Sequence, residues 1–210
     1  MVIAAKHPTA LEEIQQLSSQ RPLTAEDLQA LPDDGNRYEF IGGRLIVSPA
    51  STDRHQKVSF KRSAALDTYL TETGTGEGFA APMDVHSSPN DIVQPDLLVV
   101  LRERSAIIQE GGIMGTPDLV IEMLSRSSIS TDYLRKSELY TRSGVREYWI
   151  ANPETETVRV QTGDGDRFIL TGEYGRSGTL TSSELADLDL DLAKVVPTRS
   201  EAQSNETAKE

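Results

Sequence analysis

Two stretches of this chain, Ile92-Val-Gln-Pro-Asp-Leu-Leu-Val-Val100 and Leu119-Val-Ile-Glu-Met-Leu124, are almost uninterruptedly apolar, and each is broken by one carboxylate. Such runs suit central strands of a sheet covered on both faces. An ionised carboxylate inside one is costly unless a partner compensates it. Side chains alternate faces along a strand, so Asp96 shares a face with Gln94, Leu98 and Val100, and Glu122 shares one with Val120 and Leu124. If the two strands are neighbours, the two acids can converge at one sheet edge. A shared cation is the simplest compensation: Mg2+ (or Mn2+) takes oxygen ligands and often only one or two carboxylates. Purely structural roles stay open beside it, Asp96 capping a turn after Pro95 and Glu122 pairing with a buried arginine.

The surrounding pattern predicts a mixed α/β sheet flanked by helices. Residues 1–20 read as a flexible lead in which Leu11, Ile14 and Leu17 mark a short helix, and residues 23–31 as a second helix with Thr24 at its N-cap. Arg37–Ile41 and Arg44–Ser48 around Gly42-Gly43 form a β-hairpin. A helix over 53–72 comes next, then three strands over 78–86, 91–101 and 117–125. A helix over 130–143 ends at Gly144, and Glu147–Ala151 is a strand. Residues 157–161 and 167–171 make a C-terminal β-hairpin extension around Gly163-Asp-Gly. The leucine-spaced stretch 180–192 packs as a last turn or short strand. The expected domain spans 21–195, and 196–210 reads as a disordered acidic tail.

Composition removes several function classes. There is no cysteine, which excludes disulfide frameworks, zinc-thiolate sites and thiol nucleophiles. No apolar run approaches the roughly 20 residues of a membrane span, and Met1–Pro8 lacks a signal-peptide hydrophobic stretch, so a cytoplasmic location is expected. The net charge of −12 argues against broad nonspecific nucleic-acid binding. Part of it is terminal: seven acids face three bases from Ser183 to Glu210.

Further side chains qualify for the site. Lys136 shares a helix face with Tyr133 and Tyr140, where an inward ammonium can orient water or stabilise charge on phosphate; it can equally pair on the surface with Asp132, four residues earlier. His55 can contact phosphate or serve as a surface histidine. Glu39, between Tyr38 and Phe40, is either solvated or a further acid for the site, and Asp84 is equally ambiguous. Arg54, Lys57, Lys61 and Arg62 form a stripe that can meet a nucleic-acid backbone or simply face solvent.

Four segments in order, 37–49, 93–100, 117–125 and 140–150, resemble the Uma-type restriction endonuclease family, a bacterial family of the PD-(D/E)XK nuclease superfamily; the likeness runs over residues 24–192. The resemblance implies a restriction-endonuclease-like fold with Asp96 and Glu122 as metal-binding acids and the Met123 carbonyl as a further metal ligand. The superfamily pattern places lysine two residues after the glutamate, where this chain has Leu124, and Lys136 resembles a migrated version of it. By this resemblance the chain is expected to be a Mg2+-dependent endonuclease acting on DNA. Asp96, Glu122 and Lys136 would be its catalytic residues, supported by Glu39 and His55, and a homodimer would suit a two-stranded substrate. The rivals are a non-catalytic nuclease-fold module for binding or assembly, and a metal-free two-carboxylate hydrolase of the glycosidase kind.

Overall fold

The computed structural model describes residues 8–48, 53–124, 131–152, 155–188 and 190–195, with side chains throughout except at 53–62, 131, 132, 194 and 195. Helix α1 (Ala10–Ser18) opens on a capping box in which Thr9 N–H donates to Glu12 at 2.7 Å and Glu12 N–H to the Thr9 hydroxyl at 3.3 Å. Helix α2 (Ala25–Gln29) starts at Thr24, whose N–H donates to Asp27. The hairpin β1 (Arg37–Ile41) and β2 (Arg44–Ser48) has the expected bounds. Its turn needs both glycines, Gly42 and Gly43, at positive φ, and a side chain on Gly43 would strike Pro22. The long helix α3 (Asp53–Thr73) leads to β3 (Gly76–Ala80), β4 (Val85–Ser88), β5 (Asp91–Val93) and β6 (Leu97–Leu101). After a 3-10 helix at Arg102–Ile107 come β7 (Ile108–Gln109), β8 (Gly112–Ile113) and β9 (Leu119–Met123). The chain continues through α4 (Thr131–Ser143), β10 (Glu147–Asn152), β11 (Thr157–Gly163), β12 (Phe168–Gly175) and α5 (Leu192–Val195).

The strands form two sheets. One runs β2-β1-β5-β4-β8-β7, the other β12-β11-β10-β9-β6-β3, and both are mixed: β10 lies parallel to β9, and β4 to β8. The C-terminal hairpin β11-β12 extends the second sheet at its edge. Helix α3 and the C-terminal leucines cover one face of that sheet, where Leu66, Leu70, Leu97, Val99, Ile121, Trp149 and Leu188 pack together. Helix α4 covers the other through Leu139 and Tyr140 against Leu98, Val120 and Tyr148. Helices α1 and α2 cover the first sheet, with Ile14, Leu23, Phe40 and Ile92 in one cluster.

One expectation changes. The strands expected over 78–86 and 91–101 are each broken in two, and the halves join different sheets: β3 and β6 the second, β4 and β5 the first. The breaks fall at Ala81–Asp84, which contains Pro82, and at Gln94–Asp96, which contains Pro95. Proline has no N–H to give a ladder, so neither stretch can continue one sheet. Asp96 consequently stands at the exit of a crossing rather than inside a strand. In the N-terminal lead, the helix expected from Leu11, Ile14 and Leu17 spans Ala10–Ser18 and is anchored by buried Ile14. Thr179 and Asp191 form a single antiparallel bridge, and the leucines between them are buried.

Candidate functional site

The acids meet at the seam between the sheets. In the antiparallel register of β6 and β9, Leu97 faces Ile121 and Leu98 faces Val120. One step further along the same register brings Asp96 opposite Glu122. Parity also holds: Leu98 and Val120 lie under α4, and Glu122 on that face accepts hydrogen bonds from two α4 side chains, Lys136 Nζ at 2.9 Å and the Tyr140 hydroxyl at 2.7 Å. Both reach the same oxygen, Oε1, because positions four apart on a helix share a face. Lys136 Nζ also lies 3.1 Å from Glu39 Oε1 on β1, so one ammonium joins an acid from each sheet.

Asp96 is held differently. Its Oδ2 accepts the Met123 N–H at 2.8 Å, while its Oδ1 lies 3.7 Å from Arg37 Nη1. Arg37 Nε is also 3.7 Å from Glu39 Oε2, and its Nη1 donates to the Gln94 carbonyl at 3.3 Å. Gln94 N–H donates to Glu39 Oε1 at 2.9 Å and its amide to Asp84 at 2.8 Å, which fixes the crossing next to Pro95. Glu39, Asp96, Glu122 and Lys136 are all buried.

Electrostatics derive from this packing. Burial pushes the Glu122 carboxyl up, and the charges of Asp96 and Glu39 add to it against the opposing Lys136. Burial acts in the same sense on Glu39, but Lys136, Arg37 and the Gln94 N–H outweigh it and hold its carboxyl below the usual range. Desolvation works against the Lys136 ammonium, yet Glu122 and Glu39 raise its pKa above the ordinary lysine value. Burial and Glu122 push the Tyr140 hydroxyl well up, which keeps it a donor.

With all five groups ionised, three acids face two cations, which leaves the cluster one negative charge in excess. Each acid of the pair has one oxygen engaged by a protein donor, Glu122 Oε1 and Asp96 Oδ2; among the described residues Glu122 Oε2 accepts no hydrogen bond and Asp96 Oδ1 has only the distant Arg37. This donor set, all oxygen and net negative, fits a hard divalent cation. No group of three or more His, Asp or Glu side chains is arranged to hold a metal among the described residues, so a cation here would take the two acids and complete its shell otherwise.

Of the expected residues, Asp96, Glu122, Lys136 and Glu39 converge, and Lys136 turns inward rather than toward the surface. Met123 meets Asp96 through its N–H. Asp84 supports Gln94, and the His55 side chain lies outside the described residues, as do Arg54, Lys57, Lys61 and Arg62. Sequence reasoning did not assign Arg37, Gln94 or Tyr140 to the site. Arg37 had a signal in its spacing of two from Glu39 on one strand, and Tyr140 in its spacing of four from Lys136. The other deeply buried acids are occupied elsewhere: Asp118 by Arg104 and the Leu101 N–H, Glu147 by Trp149 and Ser183.

Two mixed sheets flanked by helices, similar in fold to the solved nuclease structure described below, make this a restriction-endonuclease-like nuclease fold. The chain belongs to the family described as "Uma2: Putative restriction endonuclease", whose model matches residues 25–193. Among solved structures it is similar to a "putative nuclease belonging to DUF820" from Anabaena variabilis ATCC 29413, with a TM-score of 0.66 at 18% identity over 86% of this chain and 99% of that one. No curated protein matches it. Among the described residues no helix is long and apolar enough to cross a membrane.

Proposed function

We propose that this protein is a cytoplasmic endonuclease that hydrolyses phosphodiester bonds in DNA with a Mg2+ or Mn2+ ion held by Asp96 and Glu122. The observation that carries the reading is the meeting of Glu39, Asp96, Glu122 and Lys136 at the seam, with an uncompensated negative charge. The ion would supply a water of lowered pKa and neutralise charge on the phosphate. Asp96 Oδ1, Glu122 Oε2 and the Met123 carbonyl are the oxygens to hold it. Tyr140 and Lys136 fix Glu122, and the Met123 N–H fixes Asp96. Lys136 uses two of its three ammonium protons on Glu122 and Glu39, so the third remains to orient the attacking water or a phosphate oxygen. Hydrolysis adds water across one P–O bond, leaving a phosphate monoester and a hydroxyl. A symmetric dimer would present one such site to each strand of a duplex.

Purified protein incubated with plasmid and single-stranded DNA in Mg2+ or Mn2+ tests this directly. The expected result is cleavage that stops with EDTA and falls at least 100-fold in Asp96→Ala, roughly the loss caused by removing a key transition-state contact. A wild-type chain that neither cuts nor binds Mn2+ would refute the proposal. A non-catalytic binding module is the second reading, favoured by the net charge of −12; Mn2+ binding and DNA binding without any cleavage would decide for it.

A further inference from the structure

We infer that Arg37 is the side chain that grips the phosphate of the substrate, a role resting on the DNA-hydrolase reading above. Arg37 and Glu39 lie two apart on β1 and so share a face, which puts the guanidinium beside Asp96. Both of its ion pairs, to Glu39 and to Asp96, measure 3.7 Å, beyond hydrogen-bond length. Its one hydrogen bond among the described residues runs from Nη1 to the Gln94 carbonyl at 3.3 Å. Among the described residues, most of the five N–H groups of the fork are therefore uncommitted.

Exposure separates the two cations of the cluster. The Arg37 side chain is 27% exposed, against 9% for Lys136. Lys136 is held between Glu39 and Glu122, and Arg37 is the more accessible of the two cations. A chain with net charge −12 and three acids at its centre repels a polyanion, so an incoming phosphate needs a positive group at the rim. A planar guanidinium presents parallel N–H donors that match two phosphate oxygens, which a lysine at the same place would not. Turning toward a phosphate breaks no short hydrogen bond from Arg37 to a carboxylate.

The test measures binding of the full chain to a fluorescein-labelled 30-base-pair duplex by anisotropy, in Ca2+ and across a KCl series. Arg37→Met is expected to weaken binding roughly tenfold and to make the dependence of log Kd on log salt shallower by about one, the mark of one lost phosphate contact. Arg37→Lys is expected to keep the slope while still binding several-fold more weakly. A purely structural arginine would lower thermal stability and leave the slope unchanged, and that result in a folded Arg37→Met overturns the assignment. Should Arg37→Met fail to fold, an Arg37→Lys chain binding as tightly as the unaltered protein overturns it instead. If the unaltered protein neither binds nor cuts DNA, the underlying hydrolase reading falls, and this role with it.

Discussion

At Glu122 the two donors from α4 do different work. Lys136 supplies charge to Glu122 and Glu39 together, whereas Tyr140 supplies a neutral hydrogen bond to the same Oε1 and is itself packed edge-on against Tyr148, with ring centroids 5.2 Å apart. Removing the charge strands two buried carboxylates. Lys136→Met is expected to destabilise the fold by about 3–5 kcal/mol, the cost of breaking a buried pair by deleting one partner, measured by urea unfolding. Tyr140→Phe keeps the ring and its packing and deletes only the hydroxyl. Its stability should fall by about 1–3 kcal/mol or less. Its Mn2+ affinity by calorimetry should drop roughly tenfold, as when an outer hydrogen bond that orients a metal ligand is lost. Equal Mn2+ affinity in Tyr140→Phe would show that Lys136 alone orients Glu122.

Among the elements, the hairpin, the two buried strands and both main helices were readable because their signals are local: glycine pairs, apolar runs and helical spacing. The two-sheet division was not read, although Pro82 and Pro95 mark where it happens. Apolar character runs through both crossings, Val93 before Pro95 and Leu97 after it, so hydrophobicity alone joins what the backbone separates. The site was half legible for a related reason. Asp96 and Glu122 stand out against apolar neighbours, but Arg37 and Gln94 belong to the site only because β1 and β5 pair across the first sheet, a contact between distant parts of the chain. Two elements allow direct tests. Gly43 has φ +70°, and a Cβ there would lie 2.5 Å from Pro22, so Gly43→Ala should cost about 2 kcal/mol or more in urea unfolding. Arg21 clamps Asp27 through two 2.7 Å hydrogen bonds and, with the Thr24 N–H, lowers the Asp27 carboxyl from 3.8 to about 2. A depressed carboxylate stabilises the fold above its unfolded pKa and loses that contribution as pH falls through the folded value. The stability gap between the wild type and Asp27→Asn should thus be full above about pH 4 and close toward about pH 2, as tracked by denaturant titrations at each pH.

For the molecule as a whole, the proposed metal binding at the seam would be linked to folding stability. The second sheet contributes Glu122, the first contributes Glu39, and Asp96 sits in the crossing between β5 and β6 that joins them, so the excess negative charge opposes the closure of one sheet on the other. A divalent cation at Asp96 and Glu122 removes that repulsion only in the folded state, because the unfolded chain does not bring the two acids together. Mass action then requires stabilisation: at a cation concentration 100 times Kd it amounts to about 2.7 kcal/mol. For a chain of this size that corresponds to a rise in Tm of roughly 5–10 °C. Melting curves in EDTA, Mg2+ and Mn2+ should show the shift in the unaltered protein and not in Asp96→Ala. Glu122→Gln separates charge from ligation. It removes the excess charge, so it should melt higher than the unaltered chain in EDTA, yet gain little from Mn2+ because an amide is a poor replacement for the carboxylate ligand. A Glu122→Gln chain less stable than the unaltered protein in EDTA would mean that the salt bridge to Lys136 outweighs the repulsion, and that the seam is held by its ion pairs without need of a cation.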